Sequence, residues 1–323
     1  MFPFPGLPYG VAPWWCFPLN EVCLYALMVV CFVHAIRKGK GAVAYLLGGL
    51  VFGLILEYLE VLSGSYTYGR FFIMIGRAPI EIPFCIGCGW AIILYSARLF
   101  SDAYTLPLLG AVALDTLLAL NIDLSMDVVA YRLHMWHWYW YLPRQSPLTS
   151  QWFGIPYGNF VGWITVVFCY SFFSRLLEKK WSRSDAGWMR VISIAAATVV
   201  CSQAVLFGTE TFLFPFMLKY LHITSGTRLL ALTATLLLLT AFGWSKRRRS
   251  DNQPPVVARW VPCYFHFFFA FCFFALGFYR ENKWMTTAAL INAALGIVVH
   301  LYPFEPAARL KRIIRQDLEQ QAV

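Results

Sequence analysis

Residues 41–62 read GAVAYLLGGLVFGLILEYLEVL, a run in which the only charged side chains are Glu57 and Glu60. A helix of this length rises about 33 Å, which is enough to cross the hydrocarbon core of a bilayer. A charge in hydrocarbon costs at least a few kcal/mol, so such residues usually face a cavity and are functional. The stretch therefore predicts a membrane-spanning helix whose acidic side chains have a function.

Apolar runs of this kind recur along the whole chain. Of the 323 residues, 59% are hydrophobic and only 13% are charged, and the mean hydropathy is +0.61. A soluble domain carries about a quarter charged residues, and a transmembrane barrel shows shorter segments of alternating pattern. The sequence therefore predicts an all-α polytopic protein of the cell (inner) membrane, with a bundle of about eight to nine transmembrane helices.

The distribution of positive charge predicts the topology. Nine spans are predicted, near residues 18–36, 41–62, 80–99, 104–122, 157–178, 190–208, 227–244, 259–279 and 284–302. Alternate connections carry 18 and 8 of the 26 Lys and Arg residues, and positive residues concentrate on the cytoplasmic side. The N-terminus is therefore expected outside and the C-terminus in the cytoplasm. An eight-span arrangement with one re-entrant helix is the alternative.

The chain is predicted to be one membrane domain, residues 1–323, with a cytoplasmic tail at 303–323. No cleavable signal peptide is expected, because the first 20 residues contain no Lys or Arg. The net charge of +10 lies mainly in loops and tail, where it is expected to meet anionic lipid headgroups rather than nucleic acid. Cys85 and Cys88 form a C-x-x-C inside an apolar helix without a second pair, which favours structural thiols over redox or metal chemistry.

Carboxylates are the candidate functional groups. Six of them lie in or beside the predicted spans: Glu57, Glu60, Asp115, Asp123, Asp127 and Glu210. The alternating direction of the spans brings them to the outer half of the bilayer, where Glu81 also begins span three. We expect them to belong to one site. Because desolvation disfavours the charged form, a buried carboxyl group can stay protonated and give a proton to a carbon–carbon double bond.

The connection at 121–156 contains an aromatic stretch, YRLHMWHWYWYL, at residues 131–142. Such a stretch is typical of a belt at the membrane interface, and Tyr66 and Tyr68 are open to the same interpretation as interface anchors. Alternatively, the stretch forms a lid over a pocket, where its rings stabilise a cation.

Three motifs carry a family resemblance. WFGIPYGNFVGW at 152–163 fits the pattern G-[IV]-P-x-x-N-[FY]-x-G-W. DLSMD at 123–127, followed by Trp136 and Trp138, is similar to D-x-x-x-D-P … W-x-W, and Glu57 followed by GSYTYG is similar to E … G-x-Y-x-Y. Together these motifs, over roughly residues 50–175, resemble the integral-membrane carotenoid-biosynthesis proteins. That family includes carotenoid hydratases such as bisanhydrobacterioruberin hydratase.

The resemblance implies a carotenoid hydratase-like enzyme, a hydro-lyase, whose lipophilic polyene or terpenoid substrate enters from the bilayer. Protonation of a terminal isoprenoid double bond makes a tertiary carbocation, water adds, and a base takes the surplus proton; no redox cofactor is required. Asp127 and Glu57 are the predicted acid–base pair, in an order left open, and Asp123 is the third catalytic candidate. The predicted substrate-binding residues are Tyr66, Tyr68, Trp136, Trp138, Asn159, which orients the water, and Trp163.

Departures from the family pattern and structural alternatives remain open. Val128 stands where the family has Pro, and Glu60 and Glu81 are acids that the family pattern does not contain. These departures bear on the identity of the product more than on the acid chemistry. Asp123 and Asp127 lie near a predicted helix end and are alternatively solvated or capping residues. Glu57 has two arginines, Arg70 and Arg77, as alternative partners. The supporting candidates around the site are Glu60, Glu81, Asp115 and Glu210.

Two other functions use the same acids. A proton-initiated terpenoid cyclase or isomerase lets an internal alkene capture the cation, or lets the cation lose a proton; a dry aromatic pocket favours this outcome and a polar mouth favours hydration. A proton-coupled transporter uses the acids as ligands, but its inverted repeats are not visible here. No metal site is expected, because His134 and His137 are spaced i,i+3 and no H-x-x-x-H or E-x-x-H occurs.

Overall fold

The computed structural model describes residues 11–138, 151–181, 187–247 and 253–301. The helices are α1 (Cys16–Lys38), α2 (Lys40–Ser63), α3 (Phe84–Asp102), α4 (Leu108–Arg132), α5 (Tyr157–Trp181), α6 (Trp188–Gly208), α7 (Phe214–Leu221), α8 (Ser225–Ser245), α9 (Val257–Ala275) and α10 (Lys283–Leu301). A π-helical turn, Thr209–Leu213, joins α6 to α7, and a short 3-10 turn, Phe278–Arg280, precedes α10. The predicted tail and residues 139–142 of the aromatic stretch lie outside the described residues.

Eight helical stretches among the described residues are long and apolar enough to cross a membrane, with α6 and α7 counted as one. The ninth predicted span corresponds to α10, a helix of 19 residues. The predicted bundle of about eight to nine helices is therefore confirmed, and the chain is a multi-pass membrane protein. The side of the membrane on which each terminus lies stays a prediction.

Two predicted span boundaries are wrong. α4 continues past residue 122 to Arg132, so Asp123 and Asp127 lie inside a helix and do not cap one. Both side chains are buried, with 0% and 2% of their surface exposed, because neighbouring helices cover this part of α4. Residues 80–83, which the sequence assigned to span three, form a strand instead.

A close approach between α2 and α3 positions one side chain of the later site. A Cβ atom built on Gly53 would lie 2.5 Å from Cβ of Trp90, closer than real carbon atoms approach. Glycine at this position therefore lets the Trp90 side chain lie directly on the α2 backbone. Its indole points along α2 towards Glu57, one helical turn farther on.

We expect Gly53→Ala to lower the free energy of unfolding by about 1–3 kcal/mol, because the added methyl group forces Trp90 or a whole helix to move. Thermal unfolding of the detergent-solubilised protein measures the effect. Gly41→Ala is the matched control on the same helix, since a Cβ atom there has no neighbour within 4 Å. Equal midpoints for the two variants would contradict the close contact.

Four short strands lie at one end of the bundle, which we call the strand end. β1 (Tyr66–Tyr68) pairs antiparallel with β4 (Trp136–Trp138), and β2 (Met74–Arg77) pairs antiparallel with β3 (Ile80–Pro83). In the first pair Tyr66 lies opposite Trp138, and Tyr68 lies opposite Trp136. This ladder joins the α2–α3 connection to the chain segment that follows α4.

A partly buried ion network lies at the opposite end of the bundle. Arg175 pairs with Asp102 (Nη1–Oδ1 2.5 Å) and with Asp115 (Nη2–Oδ2 2.8 Å). Arg98 pairs with Glu178 (Nη2–Oε2 2.5 Å) and with Asp102 (Nε–Oδ2 3.5 Å). The network joins α3, α4 and α5 and places Asp115 away from the strand end.

Candidate active site

A cavity with about 590 Å³ of empty space lies beneath the β1–β4 ladder, among α1, α2, α3, α4, α5 and α9. We call it the aromatic cavity. Of the nine predicted catalytic and substrate-binding residues, eight line it: Glu57, Tyr66, Tyr68, Asp127, Trp136, Trp138, Asn159 and Trp163. The ninth, Asp123, lies directly behind this lining. Residues that are scattered over roughly a hundred positions of sequence therefore meet at the strand end.

Glu57, near the end of α2, is held by three hydrogen-bond donors. Trp90 Nε1 donates to Glu57 Oε1 over 2.6 Å, and the hydroxyl groups of Tyr66 and Tyr68 both donate to Glu57 Oε2. The Glu57 side chain is 4% exposed. A carboxyl group that only accepts hydrogen bonds matches the ionised form, which has no hydrogen to donate.

The two tyrosines remain donors over the whole working range of pH. Both lie in β1, outside the helices, where burial, followed by the charge of the nearby Glu57 carboxylate, raises the pKa of Tyr66 and of Tyr68 well above its usual value. Neither hydroxyl group therefore ionises near neutral pH. One of the two alternative partners of Glu57, Arg70, instead binds Glu81 (Nη1–Oε2 2.9 Å) on the surface.

Asp123 and Asp127 form a pair on one face of α4, four residues apart. Asn159 from α5 donates its amide to Oδ2 of both, over 3.1 Å to Asp123 and 2.5 Å to Asp127. The two carboxyl groups therefore meet at the same amide nitrogen, and Trp136 lines the cavity together with Asp127. Oδ1 of Asp123 has no hydrogen-bond partner in the described part of the chain. Among the described residues, neither acid forms an ion pair with Lys or Arg.

Aromatic rings form the walls between the two acidic groups. Trp90 and Trp163 lie with ring centroids 4.3 Å apart, and the ladder places the ring of Tyr66 6.4 Å from Trp138. Side chains two residues apart on a strand point to the same face, so β1 and β4 direct four rings into the cavity and not towards the membrane interface. Several π-faces are thus available near a cation in this space.

A second cavity, with about 1110 Å³ of empty space, lies behind the same wall, among α2, α5, α7 and α8. We call it the polar cavity. It shares with the aromatic cavity Glu57, Tyr66, Trp90, Asn159 and Trp163. Its further polar lining residues are Glu60, Glu210, Ser225 and Arg228. Two of the supporting acids, Glu60 and Glu210, therefore adjoin the site.

The expectation that all the acids meet at one site is wrong for two of them. Glu81 forms its ion pair with Arg70, whose side chain is 72% exposed, and Asp115 belongs to the ion network at the opposite end. Conversely, the sequence did not single out Trp90 or Arg228 as site residues. Trp90 is one aromatic residue within an apolar span, and Arg228 is a lone cation at the start of a span, so neither carries a strong local signal.

A sequence model of the family described as "Carotenoid biosynthesis protein" matches residues 18–225. The chain belongs to this family. The match of this carotenoid biosynthesis protein extends from α1 to the first residue of α8 and includes Glu57, Asp123 and Asp127. Neither the curated proteins nor the solved structures contain a match to the chain.

Proposed function

We propose that this carotenoid biosynthesis protein is a hydratase of the cell membrane that protonates a terminal isoprenoid double bond and adds water to the resulting cation. The observation that carries the proposal is the placement of a carboxyl pair and a triply hydrogen-bonded carboxylate on the walls of one aromatic cavity. The aromatic cavity accommodates an apolar end group, and the rest of the polyene lies in the bilayer.

The Asp123–Asp127 pair is the proposed acid. Two buried carboxyl groups that accept from one amide nitrogen repel each other when both are ionised, and protonation of one of them removes this repulsion. No cation among the described residues pairs with them, so the neutral form avoids the cost of a buried charge. Asp127 lines the aromatic cavity and is the proton donor; Asp123, behind it, positions that proton.

Glu57 is the proposed base. The three donors from Tyr66, Tyr68 and Trp90 stabilise its carboxylate form. In the reaction, the Asp127 proton forms a new C–H bond at the less substituted carbon, and the tertiary cation lies against the ring faces. A water oxygen then bonds to the cationic carbon, and Glu57 takes the surplus proton. That proton returns to the aspartate pair through water before the next turnover.

The polar cavity favours hydration over cyclisation. Charged side chains within membrane proteins usually face water-filled space, and the polar cavity carries three of them next to Glu57 and Asn159. Water can therefore approach the cation from this side. The aromatic lining of the first cavity supports the second candidate function, a proton-initiated cyclase or isomerase with the same acid.

Expression of the protein in a lycopene-producing bacterium, followed by mass spectrometry of the extracted carotenoids, tests the proposal. A mass gain of one water in the cells that express the protein is the expected result. A product of unchanged mass with a shifted chromatographic position would indicate cyclisation or isomerisation instead. No new product from lycopene would contradict hydration of this substrate.

A further inference from the structure

The polar cavity contains a buried arginine whose hydrogen-bonding capacity is mostly unused. Arg228 lies in the first turn of α8 and is 8% exposed. Its Nη2 donates to Ser225 Oγ over 2.9 Å, and its guanidinium lies 4.2 Å from the ring centroid of Phe214. Nε and Nη1 make no hydrogen bond within the described residues. Buried polar groups normally have a protein or water partner, so this arginine has unused capacity to bind a polar molecule such as water.

Two acids line the polar cavity together with Arg228: Glu60, which is half-buried, and Glu210, which is exposed. Glu210 lies in the π-helical turn between α6 and α7, a distortion that often occurs at functional sites. Glu60 lies on α2, one helical turn beyond Glu57. The three charged side chains come from three different parts of the bundle and meet in one space. Water is the small polar molecule that can donate to the carboxylates and accept from the guanidinium.

The aromatic cavity has a different character on its far side. Away from the shared wall its lining from α1, α3 and α9 is mainly apolar, with Leu24, Ile86, Ile93, Phe265 and Phe269 beside one polar residue, Asn20. A polyene loses no hydrogen bonds when it enters along this side. The shared wall, which contains Glu57 and Asn159, thus lies between the aromatic cavity and a space that contains three further charged side chains, Glu60, Glu210 and Arg228.

We propose that the two reactants reach the site by separate routes: the polyene through the aromatic cavity, and water through the polar cavity that Arg228, Glu210 and Glu60 line. This inference rests on the proposed hydration. The attacking water crosses the wall beside Asn159, its oxygen bonds to the cationic carbon, and its proton passes to Glu57. No further reactant is needed.

Two glycines offer a matched test. A Cβ atom on Gly162 or on Gly89 has no neighbour within 4 Å, so the first side-chain atom is accommodated at either position and a leucine can extend into the adjoining cavity. Gly162 lines the polar cavity and Gly89 lines the aromatic cavity. Gly162→Leu therefore fills the proposed water route, and Gly89→Leu fills the proposed polyene route. Glu210→Leu removes a charged lining residue from another helix and is the second test of the water route.

Membranes that contain each variant are equilibrated with D2O buffer and incubated with lycopene, and mass spectrometry measures two products. Carotenoid whose mass has increased by one water reports hydration. Deuterium in recovered unhydrated carotenoid reports reversible protonation, in which a C–D bond forms and a C–H bond breaks. Immunoblotting of the membranes measures the amount of each variant.

Gly162→Leu and Glu210→Leu are expected to lose hydrated product while deuterium uptake continues, and Gly89→Leu is expected to lose both. Wild-type levels of hydrated product in Gly162→Leu and Glu210→Leu would overturn the separate water route. A wild-type protein that takes up deuterium but adds no water, or does neither, would instead refute the proposed hydration itself.

Discussion

Asp127→Asn is expected to reduce the rate of hydration by about a hundredfold to ten-thousandfold, the usual contribution of a positioned general acid. The amide has nearly the same shape as the carboxyl group, so the contact with Asn159 can persist. It has no acidic proton to transfer to carbon. Deuterium uptake into lycopene is expected to fall with hydration, because both begin with the same protonation. Mass spectrometry of lycopene incubated with membranes in D2O measures both.

Glu81→Gln is the matched control for this loss. It also neutralises one carboxylate, but at a surface ion pair with the largely exposed Arg70, and such pairs contribute about 0–1 kcal/mol. We expect its hydration rate to equal that of the wild type. Full activity in Asp127→Asn together with lost activity in Asp123→Asn would move the acid to the inner member of the pair.

The second large effect is expected for Glu57→Gln, with a different signature. The amide cannot accept the proton that the attacking water must lose, so the hydration rate should fall by about a hundredfold to ten-thousandfold. Protonation by Asp127 does not need this group, and deuterium uptake should therefore continue. The ratio of deuterated to hydrated carotenoid separates a base from an acid. Loss of both signals in Glu57→Gln would mean that Glu57 takes part in the protonation step.

Tyr66→Phe is expected to lower the hydration rate less than Glu57→Gln does. It removes one of the three donors and leaves those from Tyr68 and Trp90. A hydrogen bond to a charged group contributes about 1.5–3 kcal/mol, so the expected loss of hydration is smaller than that of Glu57→Gln. A loss as large as that of Glu57→Gln would assign the tyrosine hydroxyl a direct role in proton transfer.

The family and the principal acids could be predicted because their signals are local. Asp123 and Asp127 are four residues apart, and the family motif at 152–163 contains Asn159. The pairing of β1 with β4 could not be predicted from the sequence. Each strand has only three residues, the two lie some seventy positions apart, and neither carries a recognisable local pattern. The residue at which α4 ends was also predicted wrongly. Its two aspartates lower the hydropathy at the point where the helix continues, so the predicted span ended too early.

The sequence by itself determined a bundle of about eight to nine membrane-length helices and which of them carry acidic residues. These follow from the length of the apolar runs and the fixed rise per residue. Only the tertiary structure decided which acids face each other. In a membrane helix most faces are apolar, so hydropathy does not define the inward face, and packing of small residues such as Gly53 against neighbouring helices sets the rotation. That packing brought Glu57 and Asp127 to one cavity, took Asp115 to the opposite end, and placed Arg228 beside a wall of the site.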